Sequence, residues 1–345
     1  MTNTAAGAPQ AAERHRAGGR PGRRGRRIGL PACGALLAVP SALLVVRLTG
    51  LDAGTSLAVP VVLFPYGAAL SVLVLVAVLA VPALRSRWTI AVVAIVTSAQ
   101  VVLLIPRFVP HRQHVPAQAP VLRVATLNAN VGAEDASALV RLVETERIDV
   151  LAVQQLPSAG IAELTEAGLD KLLPYHELHP EYDSSIYSRI PLSHGGVLQA
   201  DTAWPQTTAD VTVGGRTVRL VAVHTFYPLG NAKRWTRDMS ALTSAARHSG
   251  PDTVFLGDFN ATLDHAPMRD LLESGLTDTH AELGHGWART WPVGKPLVPP
   301  MVQLDHVLHG SGMAGVSVSE RTVPGTDHRA VVATLAVLPA TGHAG

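Results

Sequence analysis

The distribution of apolar positions changes character twice along the chain. Between residues 28 and 105 the apolar residues run on without an opposing polar face, in blocks at 28–46, 57–84 and 88–105. A bilayer core takes about 20 residues of helix, so the pattern predicts three transmembrane helices. The second block is long enough to demand a tilt or a kink, and Pro60, Pro65 and Pro82 sit toward its ends. Beyond residue 120 the apolar runs shorten and become β-branched, and they alternate with amphipathic stretches. Strands are predicted at 121–127, 149–153, 184–188, 207–213, 217–224, 253–256, 303–308, 315–320 and 330–338. Helices are predicted at 135–147, where Leu139, Leu142 and Val143 share a face, at 161–173, at 231–248, where Trp235, Met239 and Leu242 do, and at 266–272. Gly214 and Gly215 turn a hairpin. Hairpins mixed with helical crossovers predict an α/β domain of two packed sheets with helices outside.

Charge sets the organisation. The chain is 47% hydrophobic and only 4% aromatic, and its one cysteine, Cys33, excludes an internal disulfide or a cysteine-based metal cluster. The net charge of +2 hides an asymmetry: from residue 113 onward 16 Lys and Arg face 24 Asp and Glu, a net of −8. The cations of the first 112 residues flank the apolar blocks. Residues 1–27 read as a disordered basic cytoplasmic tail, carrying Arg14, Arg16, Arg20, Arg23, Arg24, Arg26 and Arg27. Arg85 and Arg87 lie between the second and third blocks. The positive-inside rule then places the N-terminus in the cytoplasm and the domain at 121–345 on the extracellular side of the cell membrane. Residues 106–120, with Pro106, Pro110, Pro116 and Pro120, read as a stiff linker. An acidic outer domain argues against a nonspecific nucleic-acid binder.

Polar residues recur where strands end. Asn128 follows the first, Gln155 the second and His224 the hairpin; Asp258 and Asn260 follow Thr253-Val254-Phe255-Leu256-Gly257, and Asp305 follows Val302-Gln303-Leu304. Asp327 and His328 precede the last strand. Asp258 and Asn260, two apart, point to one side of a strand end. Such a pair suits the activation of water against a phosphate, with the amide holding an oxygen; alone, it is equally an Asx turn. Six strand ends bearing phosphate- or metal-competent groups favour the chemical reading. His306 reads as structural, Arg189 as packed or paired locally, and Arg329 as solvated or substrate-facing. His176, His179, His194, His265, His280 and His285 read as surface residues.

These segments resemble the endonuclease/exonuclease/phosphatase superfamily. The resemblance spans about 121–337 and rests on Thr126-Leu127-Asn128, Asp149-Val150-Leu151-Ala152-Val153-Gln154-Gln155, Ser188-Arg189-Ile190-Pro191-Leu192, Val223-His224, Gly257-Asp258-Phe259-Asn260-Ala261-Thr262, Leu304-Asp305-His306-Val307 and Gly325-Thr326-Asp327-His328-Arg329. It implies a four-layer α/β/β/α sandwich and hydrolysis of phosphate esters. It also implies roles: Asp258 activating water beside Asn260, His224 on a phosphate oxygen, Asp305 orienting His328, and His328 stabilising charge or protonating the leaving oxygen. Asn128, Gln155 and Asp327 are the implied metal ligands, and Mg²⁺ or Mn²⁺ the implied ion.

The chain departs from the family at one ligand. Gln155 stands where the family carries a Glu. Losing one unit of charge at ~4 Å is worth about 4 kcal/mol per unit of ion charge at an effective dielectric of about 20, partly offset by desolvation. Two readings follow: a membrane-anchored, metal-dependent phosphoesterase, or a pseudoenzyme that binds a phosphorylated ligand or partner without turnover. For the enzyme, a lipid headgroup, an envelope phosphodiester or extracellular nucleic acid are the candidate substrates. Lys233, Arg234, Arg237 and Arg247 on the 231–248 helix form either a basic rim or an ordinary solvated face.

Overall fold

A computed structural model describes residues 23–111 and 113–339; the remainder of the expected basic tail, residues 1–22, lies outside the described residues. Helix α1 (Arg23–Thr49) begins inside the stretch expected to be irregular. Arginine is a good helix former, and its run continues directly into the first apolar block. The second block is not one helix. It divides into α2 (Ala58–Val61), α3 (Phe64–Ala80) and a 3-10 turn at Pro82–Leu84. Pro65 is tolerated in the first turn of α3, and Pro82 follows its end. Helix α4 (Arg87–Leu104) starts on the Ser86 side chain, which accepts from the Thr89 amide at 3.1 Å.

The break in the second block departs from the expectation of three continuous membrane spans. Among the described residues one helix, Arg87–Phe108, is long and apolar enough to cross a bilayer, while Cys33–Thr49 and Phe64–Ala80 are shorter apolar helices. The 17 residues of α3 reach about 25 Å at 1.5 Å per residue, less than a hydrocarbon core of about 30 Å. The proline linker is also no free spacer. Arg107 is buried, the His111 amide donates to the Glu282 carbonyl at 2.9 Å, and the Val337 amide donates to the Pro120 carbonyl at 2.8 Å.

The rest is an α/β sandwich. In chain order it comprises β1 (Val121–Asn128), α5 (Ala136–Glu146), β2 (Val150–Gln154), α6 (Ser158–Glu166), α7 (Leu169–Leu172), β3 (Tyr175–His179), β4 (Ser184–Ser188), β5 (Leu192–Val197), β6 (Thr207–Val213), β7 (Arg216–His224), α8 (Pro228–Arg247), β8 (Thr253–Asp258), α9 (Ala266–Leu272), β9 (Thr277–Asp278), α10 (Thr279–Glu282), β10 (Asp305–His309), β11 (Met313–Thr322) and β12 (Arg329–Val337). One sheet has the order β11-β12-β1-β2-β4-β3 and the other β5-β6-β7-β8-β10-β9. Alternation sorts the core into layers. Leu122 and Val124 face Leu220, Ala222, Val254 and Leu256 between the sheets. Leu127, Leu151 and Val153 face outward under Leu139, Val143 and Leu164, and Val223 and Phe255 face outward under Trp235, Met239 and Leu242.

The strands that the pattern misses, β3, β5 and β9, all lie at sheet edges, where a half-solvated sequence such as Tyr175-His176-Glu177-Leu178-His179 lacks alternation. The helix expected at 161–173 breaks at Gly168, whose φ is 95°.

Candidate active site

The site follows from strand register. In the second sheet His224 of β7 pairs with Asp258 of β8, and Asp258 pairs with Asp305 of β10, so three functional residues occupy adjacent strand ends. In the first sheet Asn128 pairs with Gln154, one residue before Gln155, while β12 runs antiparallel beside β1 and brings His328 to the same end. Gly257 makes this register possible. A Cβ there would lie 1.9 Å from the Val223 carbonyl oxygen, and its φ is 152°. Non-glycine residues in left-handed backbone cluster around the site: Asn130, Val131, Gln155 and Asn260 have φ of 50°, 61°, 53° and 48°. Backbone held in this region is strained.

Asn128, Gln155, His224, Asp258, Asn260, Asp327 and His328 all line one cavity of about 550 Å³, and Asp305 lies behind His328. Every residue assigned to the site from sequence is therefore brought together. Asp258 accepts from the Asn128 side-chain amide at 3.0 Å and from the Asn260 backbone amide at 2.8 Å. Its Oδ2 lies 3.8 Å from His328 Nε2. The Asn260 side chain donates to the Thr225 carbonyl at 3.1 Å, which fixes its rotamer. His328 Nδ1 lies 2.9 Å from Asp305 Oδ2, and the His328 backbone amide donates to Thr326 Oγ1 at 3.1 Å.

Burial and neighbouring charge set the protonation states. Burial pushes the Asp258 carboxyl up and the Asp305 charge reinforces it, against the opposing pull of His328 and His224. Burial alone would lower His328, but the Asp305 and Asp258 carboxylates outweigh it and hold the imidazole at about 9. His328 is thus an imidazolium at neutral pH, oriented through Nδ1 with Nε2 toward the cavity.

One functional partner was not read from sequence. Asp183 Oδ2 lies 2.8 Å from His224 Nδ1, and Trp204 stacks on the His224 ring at 4.7 Å. Asp183 sits in a turn at φ 64° and belongs to no motif, so only the fold brings it to His224.

The supporting histidines divide. His306 is fully buried, its Nδ1 2.8 Å from Asp278 and its Nε2 2.9 Å from the Ala261 carbonyl, which is the structural role expected of it. Burial lowers its pKa, yet Asp278 more than compensates and the group is raised. His265 and His280, expected at the surface, are both buried. His265 accepts from the Thr262 amide through Nδ1 at 2.8 Å and donates through Nε2 to the Ala58 carbonyl at 2.9 Å. Burial holds it neutral. His176, His194 and His285 are exposed. Arg189 donates to the Ile148 carbonyl at 3.1 Å, a local contact.

The cavity's donors suit a divalent cation. Asn128, Gln155, Asp258 and Asp327, all with side-chain oxygens, line one space, and hard cations take oxygen ligands. Asp258, Asp305 and His328 also bring ligand atoms within 4.8 Å of one another. Within the trio His328 Nδ1 is committed to Asp305 while Nε2 faces Asp258, the arrangement of a hydrogen-bonded acid–base set.

The segment that joins the first two apolar blocks, together with the start of the second, docks on the sandwich beside the site. Ala58 packs against Trp235 and Met239, the Ala266 amide donates to Asp52 at 2.8 Å, and the Gly54 amide donates to Thr236 at 2.7 Å. Arg47 and Arg107 converge on buried Asp264 at 2.8 and 2.7 Å. Val59, Val62 and Leu63 thereby form one wall of the catalytic cavity.

Comparison with known proteins agrees with this geometry. No protein of curated function matches the sequence. Among solved structures, D. rerio TDP2 complexed with single-strand DNA product is similar at TM-score 0.53 and 17% identity, over 62% of this chain and 98% of that one. Truncated Caenorhabditis elegans TDP2 gives 0.51 and 16%, over 63% and 98%. An endonuclease/exonuclease/phosphatase family protein from Bacteroides thetaiotaomicron gives 0.50 and 14%, over 64% and 99%. At these identities the likeness is one of fold. Residues 125–328 match the Endonuclease/Exonuclease/phosphatase family, and the chain belongs to that family.

Proposed function

We propose that this chain is a phosphoesterase anchored in the cell membrane through its apolar helices, with its catalytic domain on the outer face and Mg²⁺ or Mn²⁺ as its cofactor. The observation that carries the reading is the meeting of Asp258 and His328 on the floor of one cavity, with Asp305 on the strand end beside Asp258 and behind His328. Asp258, oriented by Asn128 and the Asn260 amide, takes a proton from water as the water oxygen bonds to phosphorus. The P–O ester bond breaks, and His328 Nε2 returns a proton to the departing oxygen. Asp305 holds the imidazolium in place, as the acid does in any acid–His pair. His224, held by Asp183, donates to a non-bridging oxygen, and Asn260 shapes the pocket beside it. Asn128, Gln155 and Asp327 would hold the metal, which supplies Lewis-acid charge against the phosphate when bound.

A second reading is favoured by one observation, the uncharged Gln155 at a ligand position. It holds that the site binds a phosphorylated ligand or partner without turnover. Hydrolysis of bis(p-nitrophenyl) phosphate by the full chain in nanodiscs, with Mg²⁺ or Mn²⁺, separates the two. The enzyme reading expects turnover that falls about 10²–10⁴-fold in Asp258→Ala, the range spanned by a lost general base. Unchanged turnover in that variant would remove Asp258 from the mechanism. Gln155→Glu is expected to tighten metal binding, read by calorimetric titration, by about tenfold or more, since part of the Coulomb gain is lost to desolvation. A variant that binds metal no better than wild type means Gln155 is not a ligand.

A further inference from the structure

The catalytic cavity is two-sided, and its second side is built by the membrane-anchored part of the chain. Its floor carries Asn128, Asp258 and His328; its walls carry Val59, Val62, Leu63, Leu229, Val298 and Met301. Leu63 is the residue immediately before α3, so the cavity opens where an apolar helix begins. Leu229 is 78% exposed, and Leu297, beside Val298, stands fully in solvent. Apolar side chains displayed at a rim beside polar catalytic groups mark a surface that meets something apolar. Among the described residues no Lys or Arg lines the cavity, so a nucleic-acid backbone would find no cationic track leading to the floor. The domain's net negative charge works in the same direction.

The wall is fixed. Tyr66 donates to the Met301 carbonyl at 2.7 Å, which ties the start of α3 to the opposite side of the cavity, and Ala58 is locked by His265. The apolar side is therefore part of the resting site and needs no closing motion.

We propose that the substrate is a membrane lipid bearing a phosphate ester, its phosphorus over Asp258 and His328 and its first chain methylenes along Val59, Val62, Leu63, Leu229, Val298 and Met301. This deepens the phosphoesterase reading and rests on it. The cleaved bond is the P–O ester already described: water adds to phosphorus, Asp258 takes its proton, and the departing headgroup or lipid alcohol receives one from His328.

The test uses the full chain in nanodiscs and a series of alkyl p-nitrophenyl phosphodiesters from methyl to octyl, run beside a single-stranded oligonucleotide. Burial of each methylene is expected to raise kcat/KM about fourfold until the wall is filled. In a Leu229→Ser, Val298→Ser double variant that slope should flatten, and the difference between the two slopes cancels partition of the esters into the disc. Turnover with equal slopes in both proteins, or preferential cleavage of the oligonucleotide, overturns the lipid assignment and leaves the phosphoesterase reading standing. Absence of turnover of any ester in wild type refutes the phosphoesterase reading; dissociation constants of the same series, measured calorimetrically, then judge the apolar wall by itself. A chain-length slope that is lost in the double variant keeps the site as a lipid-phosphate binder, and a flat series in wild type removes it.

Discussion

Single residues here carry their chemistry through surroundings that lie far away in sequence. Asp258, Asp305 and His328 were legible because each sits in a short motif at a strand end. Asp183 and Glu134 were not, because each reads locally as a solvated acid in a loop. Glu134 is 5% exposed, and one of its carboxylate oxygens is buried with no hydrogen-bond partner. Burial raises its pKa from 4.5 to about 7, with its own amide opposing and Glu163 adding repulsion. The sign follows from linkage. As pH climbs past 4.5 the unfolded chain releases the proton while the folded chain keeps it, so stability is full below 4.5 and falls as pH rises through about 7. Glu134→Gln is expected to abolish this loss, making the variant more stable than wild type at pH 8 by about 1–3 kcal/mol relative to their difference at pH 5. Denaturant unfolding of the two proteins at both pH values measures it. Parallel pH profiles would mean that Glu134 is solvated in the folded chain.

At the scale of elements, the strands of the sheet interiors were readable, as was the edge strand β11, while the edge strands β3, β5 and β9 were not. Helix α9 matches its predicted limits because Pro267 fixes its first turn. The proline-rich segment after α4 was misread as a spacer because Arg107, among prolines, looks like part of a basic flank. Its partner, Asp264, is 157 positions away. Arg47 at the end of α1 and Arg107 in the turn after α4 close on that one carboxylate, and Arg269 donates to the carbonyls of Asp264 and Arg47. Burial would raise the Asp264 carboxyl, but the two guanidinium groups outweigh it and hold it below its ordinary value. Asp264→Ala leaves two guanidinium groups buried and unpaired, a change that costs about 3–5 kcal/mol. Glu146→Gln, which removes the partly exposed partner of Arg321, should cost less than about 1 kcal/mol. Chemical unfolding in nanodiscs compares them; equal effects would show that the Asp264 pair does not fasten the helices to the sandwich.

The whole molecule is a family sandwich with a segment from the apolar N-terminal region built into it. The two sheets and their catalytic end could be read from strand patterns and motifs, since both depend on local sequence. The docking of residues 50–63 could not, since Ala58, Asp52 and Gly54 carry no signal until Trp235, Ala266 and Thr236 are placed opposite them. This docking has a consequence for any attempt to study the catalytic domain alone. A fragment of residues 113–345 keeps every catalytic side chain, yet it loses the partners of Asp264 and His265, uncovers Trp235 and Met239, and opens the Val59–Leu63 side of the cavity. Loss of the Asp264 ion pair alone, at about 3–5 kcal/mol and roughly 2–4 °C per kcal/mol for a domain of this size, should lower the melting midpoint by about 10 °C. The newly exposed apolar face should also drive self-association. Circular-dichroism melting and light scattering of the fragment against the full chain in nanodiscs test this directly. A monomeric fragment with an unshifted midpoint would reduce the helices to a tether. A depressed midpoint together with self-association means that the catalytic domain needs residues 47–107 to cover it, and that activity measured on the fragment describes an altered site.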